Sequence, residues 1–194
     1  MVAFKFGWGV LPFDARRAFL QVPEDKLVVI KPPKEWSGQP DHQPGHLWIA
    51  VVKWYGKRDA AQSWQEYFSV GLISIGGFRH IKDPTKFGHK EKSLYIDSHV
   101  DDGAAPGPNK SLEWLPIALE SAGIDLKSTA IAGVGDSYCY LQVTYTRLSL
   151  RKFRITPSTK YIQDIIEDMG VRGAKPKPVP APMMNLLKDE DGAK

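Results

Sequence analysis

The spacing of apolar positions along this chain changes period several times, and each change predicts an element. Leu27-Val-Val-Ile30 is a short apolar run closed by Lys31-Pro32-Pro33, which predicts a short buried strand. Trp36-Ser-Gly-Gln-Pro40 is a turn cluster. From Pro44 to Tyr55 the residues Leu47, Trp48, Val51, Trp54 and Tyr55 fall on one face of a helix that Gly56 would stop, although the β-branched content leaves a strand as the alternative. Ser69 to Ile75 alternates up to Gly76-Gly77 and predicts a strand, as does Ser93-Leu-Tyr-Ile-Asp97. His80 to Lys92 is polar and aperiodic, hence a loop, and Gly103 to Pro108 is a second loop.

Leu112 to Ala122 predicts a helix with Gly123 at its C-terminus, where Pro116 is tolerable only near the first turn. Ala130-Ile-Ala-Gly-Val is strand-like. The long run Leu141 to Ile155 changes phase near Lys152, which predicts a bulge or bend there. Ser158 caps a final amphipathic helix whose stripe is Tyr161, Ile162, Ile165, Ile166 and Met169, ended by Gly170. Strands joined by both loops and helices make an α+β protein, a small, mainly antiparallel sheet flanked by helices.

Beyond Gly170 the pattern gives way to composition. Prolines at 176, 178, 180 and 182 describe an extended Pro-rich C-terminal arm. The arm ends in an apolar patch, Met183, Met184, Leu186 and Leu187, suited to docking on another protein subunit. Two regions follow: a domain over 1–170 and a tether with a docking tail over 171–194.

Composition narrows the class. The longest apolar run, Leu47 to Val52, is far short of the ~20 residues that span a bilayer, so no membrane partner is expected. The first residues are interrupted by glycine, proline and charge, which predicts no signal peptide and synthesis in the cytoplasm. One cysteine, Cys139, excludes an internal disulfide framework and is expected to be a small buried residue. The net charge of +4 is mild. Lys82, Lys86, Lys90 and Lys92 form one basic cluster and Arg147, Arg151, Lys152 and Arg154 another, yet no nucleic-acid motif accompanies them and nucleic-acid binding is not expected.

Chemistry concentrates in one window. His80, His89 and His99 fall there with Asp83 and Asp97, the donor types of a catalytic zinc, and Asp97 and His99 share a strand face. The order of features around that window resembles the penicillin-insensitive murein endopeptidases and, more broadly, the D-Ala-D-Ala-type metallopeptidase fold. The resemblance rests on Trp36-Ser-Gly-Gln-Pro40, on Val70-Gly-Leu-Ile-Ser-Ile-Gly-Gly77, and on His89 to Asp97-Ser-His99 followed by Asp101-Asp102-Gly103. It closes on Val143-Thr-Tyr145-Thr-Arg147 and covers about residues 20–155.

The resemblance implies a degenerate zinc site. His89 stands at a supporting histidine, Asp97 at the family's first aspartate and His99 at the second ligand position. Lys92 stands at the first ligand position, and a protonated ammonium does not coordinate zinc. Val143 and Tyr145 replace the histidines of the closing strand. A catalytic zinc needs three protein ligands and an open position.

What this implies is a non-catalytic module without a cofactor, a structural or binding component of a larger assembly such as a phage tail, baseplate or injection particle. Its ligand would be peptidoglycan or peptide, held by Arg79, Lys90, Lys92, Tyr145 and Arg147 with Trp54. The alternative is an active zinc murein endopeptidase with a rearranged site built on His80, His89, Asp97 and His99.

Overall fold

The structure, a computed structural model, describes residues 2–40, 43–150 and 152–175. It falls into two compact units, Met1–Pro157 and Ser158–Lys194. In the first unit the chain runs through helix α1 (Val2–Phe6), strand β1 (Gly9–Ala15), the two-residue strands β2 (Val29–Ile30) and β3 (Trp48–Ile49), and helix α2 (Ala60–Ser74). Strands β4 (Phe78–Ile81), β5 (Asp83–His89), β6 (Leu94–His99) and β7 (Asp102–Gly107) lead to helix α3 (Asn109–Ser121). Strands β8 (Leu126–Ser128), β9 (Ser137–Tyr140), β10 (Val143–Ser149) and β11 (Lys152–Pro157) complete it. The architecture is α+β with antiparallel sheets, as the sequence pattern predicts. No described helix is long and apolar enough to cross a membrane.

The main sheet is six-stranded, in the order β4-β5-β6-β7-β1-β8. Alternation along its strands divides it into two faces. Leu11, Phe13, Phe87, Leu94, Ile96 and Ala105 point to one, where Trp64, Phe68 and Leu72 of α2 and Leu112, Leu115 and Leu119 of α3 bury them. Val10 and Ala104 point to the other, with Ala3 of α1 and with Tyr138 and Tyr140 of β9. A second, three-stranded sheet, β11-β10-β9, therefore lies over that second face beside α1.

Three predicted segments fold otherwise. Ser69 to Ile75 belongs to α2 and its C-terminus, because Trp64, Phe68 and Leu72 continue a stripe at i, i+4 and i+8 that the core rewards. Gly71 within it allows close packing, since a Cβ there would lie 2.5 Å from Ile124 Cδ1. His80 to Lys92 holds a hairpin, β4 and β5, whose outward residues are polar because it forms the exposed edge of the sheet. Gly103 to Pro108 holds β7, built from small residues because larger neighbours fill their space. The Phe13 ring, for instance, lies where a Cβ of Gly103 would be, 2.0 Å from Cζ.

Leu27 to Ile30 is not a buried strand: Leu27 and Val29 are exposed in a short ribbon with β3. Of the two forms open for Pro44 to Tyr55, the structure takes the extended one, with Leu47, Ile49 and Val51 exposed. The run from Leu141 forms the hairpin β10–β11, with a register shift between Arg147 and Ser149 and its turn just before Lys152. Residues 130–134 contribute only an isolated bridge, Val10 to Ala132. In the second unit, helix α4 (Thr159–Asp168) begins at Ser158, whose hydroxyl accepts from the Tyr161 amide at 3.4 Å. The prolines at 176–182 and the docking residues Met183, Met184, Leu186 and Leu187 lie outside the described residues.

An ion-pair network centred on the buried side chains of Lys53 and Glu24, with the exposed Asp25 and the partly exposed Asp59 at its rim, ties the segment before α2 to the loop after the first strand. Lys53 donates to Asp25 at 2.7 Å and to Glu24 and Asp59 at 3.0 Å, so all three protons of its ammonium are used. Lys57 pairs with the other oxygen of Glu24. Asp25 is held down at about 2 by the Lys53 hydrogen bond, and Glu24 and Asp59 are lowered by their lysine partners.

Candidate ligand-binding cleft

The register of β5 and β6 decides the fate of the predicted metal residues. His89 pairs with Leu94, and Lys86 pairs with Asp97 three positions away, so the two couples face opposite sides of the sheet. His89 is buried on the helix-covered side. Its ring stands edge-on to Phe78 and Trp114, at 5.1 and 5.8 Å. Its Nδ1 accepts from the Lys92 amide at 3.4 Å. Gly77, at φ +80°, lies against the imidazole, and a Cβ there would be 2.5 Å from Nε2. Burial, then the charge of Lys92, lowers the pKa of His89, which makes it a neutral packing residue.

Asp97 and His99 lie on the other side. Asp97 meets Lys86 at 3.4 Å, and His99 sits exposed opposite Asp102. His80 is hydrogen-bonded to Ser69 at 2.8 Å through Nε2. These donors do not fit a zinc site: they are divided between two faces, and among the described residues no group of three His, Cys, Asp or Glu side chains is placed to hold a metal ion. Lys92, at the position of the expected first ligand, holds its ammonium 4.0 Å over the ring of Trp114.

The same register assembles something else on the second face. Tyr138 and Tyr140 alternate along β9, and Val143, Tyr145 and Arg147 alternate along β10, with Tyr145 opposite Tyr138 and Val143 opposite Tyr140. All five therefore point from the small sheet toward the large one. Between the two sheets they leave a cleft of about 370 Å³. Its floor is Val10, Ala104 and Pro106, and its walls carry Tyr95, Tyr138, Tyr140 and Tyr145. Tyr138 and Tyr145 stack at 5.2 Å with 13° between their planes. Lys86 and Asp97, paired with each other, supply the charged part of the lining.

Burial dominates the acid–base behaviour of the phenols. Tyr138 is pushed up to about 12 by burial and then by Tyr145, and Tyr140 is raised by burial and by the Asp97 carboxylate. Both keep their hydroxyl protons at neutral pH and act as donors rather than nucleophiles.

Arg147 follows Tyr145 on the same face of β10 and is 2 % exposed. Its Nη1 donates to the Trp8 carbonyl and its guanidinium stands 5.8 Å from the centre of the Phe153 ring, but Nε and Nη2 have no partner among the described residues. Of the expected ligand contacts, Tyr145 lines the cleft, whereas Arg147 is buried beyond it on the same strand face and is not part of the lining. Arg79 and Lys90 line a neighbouring groove, while Lys92 and Trp54 are turned to other partners, Trp114 and Lys57. Tyr95, Tyr138 and Tyr140 belong to no cluster of metal-ligating or acid–base residues in the sequence, although the alternation Tyr138, Tyr140 is a readable sign of a strand with an aromatic face. Cys139, between them, points the opposite way and is exposed rather than buried. No family model matches the chain, and no curated protein matches it.

Proposed function

We propose that this chain is a non-catalytic binding module, and that it holds its ligand in the tyrosine-lined cleft as one component of a larger assembly. The observation that carries the reading is the cleft itself. At about 370 Å³ it falls in the range of small-ligand sites, about 300–1,000 Å³, and it pairs an apolar lining with few polar groups. Four tyrosines offer rigid aromatic surface with a hydroxyl on each, which suits a ligand with apolar faces and amide or hydroxyl edges. The resemblance to murein endopeptidases supplies the ligand class, a peptide of peptidoglycan type. The lysine at position 92, engaged by Trp114, favours binding over zinc-assisted hydrolysis.

The test is calorimetric titration of a soluble muropeptide into the wild-type chain and into Ala104→Phe, which fills the cleft floor. Binding that survives a chelator, is lost in the variant and leaves the peptide intact supports the reading. Binding indifferent to Ala104→Phe, or release of cleaved peptide, overturns it.

A further inference from the structure

The cleft runs into a second depression of opposite character. A groove of about 460 Å³ is lined by Arg79, Lys82 and Lys90 and shares Ile81 and Tyr95 with the cleft. Strand register explains the continuity. Arg79 pairs with Gly88, and Gly88 pairs with Tyr95, so the three lie in a row across β4, β5 and β6 on the cleft face. Gly88 keeps the passage low: a Cβ there would be 2.5 Å from Ile81 Cδ1, so Ile81 lies across the bare backbone. Lys82 occupies the turn between β4 and β5 at φ 60°, a left-handed conformation uncommon outside glycine.

The charges in the groove are available. Lys86 is engaged by Asp83 and Asp97, whereas Arg79, Lys82 and Lys90 take part in none of the ion pairs among the described residues. Three free cations bordering an apolar, aromatic cavity form a site in two parts, each complementary to a different part of one molecule. The geometry points to a ligand with an apolar part and an anionic end, as a peptide with a free carboxylate has, the apolar part among Tyr95, Tyr138 and Tyr145 and the anion among Arg79, Lys82 and Lys90. This rests on the cleft being the binding site. A guanidinium offers paired donors that match a carboxylate, sulfonate or phosphate, and the two ammonium groups add charge without fixed geometry.

Two probes on one aromatic skeleton separate the parts: anilinonaphthalene sulfonate, which carries an anion, and phenylnaphthylamine, which does not. Fluorescence titration at low salt is expected to show the sulfonate binding about tenfold more tightly, the equivalent of one good charge contact. That advantage disappears in Arg79→Gln/Lys90→Gln and falls with added salt, while phenylnaphthylamine binds the double variant as it binds the wild type. Both probes lose binding in Ala104→Phe, with Tyr145→Ala as the second cleft variant should the first not fold.

Equal affinity for the two probes, or a sulfonate advantage that persists in the double variant, overturns the anionic end and leaves the cleft reading standing. Phenylnaphthylamine binding that survives both cleft variants overturns the cleft reading and this inference with it.

Discussion

Gly103→Ala tests how the small-residue strand β7 positions the site, because one methyl group there meets a core aromatic ring. A Cβ on Gly103 would lie 2.0, 2.1 and 2.7 Å from Cζ, Cε2 and Cε1 of Phe13. Carbon atoms rest about 3.5–4.0 Å apart, so the ring must retreat by more than an ångström. It has little room: Phe13 is 6 % exposed and faces Phe68 at 6.3 Å, and its strand is held to β7 by the Phe13–Gly103 pairing itself. Overpacking of one carbon costs about 1–3 kcal/mol, and full expulsion of a core Phe costs about 3–5 kcal/mol. The expected loss is therefore about 2–4 kcal/mol, read as a lower midpoint in urea unfolding with an unchanged slope.

Phe13→Leu costs stability alone but makes room, so the second substitution is cheaper in that background, with a coupling of about 1 kcal/mol or more. Gly38→Ala is the control, since nothing lies within 4 Å of its Cβ position, and it stays within about 0.5 kcal/mol of wild type. A Gly103→Ala protein as stable as the control, or one equally damaged with and without Phe13→Leu, would refute the reasoning.

Arg147→Met is expected to raise stability by about 1–3 kcal/mol in thermal melts, because two buried donor nitrogens without partners disappear and only one hydrogen bond and one ring contact are lost; a loss of 3 kcal/mol or more would show that the guanidinium is paired after all. The carboxylates around Lys53 make the fold acid-sensitive in a defined window. Their folded-state pKa values lie below the usual carboxylate range, Asp25 at about 2, so their contribution is complete above pH ~4–5 and is lost as pH falls toward 2. Lys53→Met removes that contribution, and stability curves between pH 7 and pH 3 should then be flatter than those of the wild type; parallel curves contradict the assignment.

What the sequence discloses depends on which physical signal dominates each segment. The helix at Thr159 is legible because a serine opens it and a glycine follows, local chemistry that tertiary packing does not override. The helix expected from Leu112 is legible by its apolar stripe and Gly123, but it begins earlier, at Asn109, and so carries Pro116 in its interior rather than near its first turn. Leu94 to His99 is legible because Leu94, Ile96 and Ser98 alternate with Tyr95, Asp97 and His99. The residues of β7 carry no such signal: Gly103, Ala104, Ala105 and Pro106 have low strand propensity, and only Phe13 on one side and the cleft on the other give them their place. The second half of α2 misleads because Val70, Ile73 and Ile75 favour strands locally, while the helical stripe that outweighs them starts at Trp64.

At the site, Tyr145 and Arg147 enter through the resemblance at the closing strand, and of the two only Tyr145 lines the cleft. Grouping His89 with Asp97 and His99 follows sequence proximity, and proximity does not reveal that odd and even steps along paired strands lead to opposite faces.

The most direct measurement is the map of chemical-shift changes when a soluble muropeptide is added to protein carrying isotope-labelled tyrosine rings. Binding in the cleft shifts Tyr138, Tyr140 and Tyr145 together and leaves Tyr67, behind the helix-covered face, unmoved. Shifts confined to Tyr55 beside the exposed ribbon, or no shifts at saturating peptide, would contradict the account.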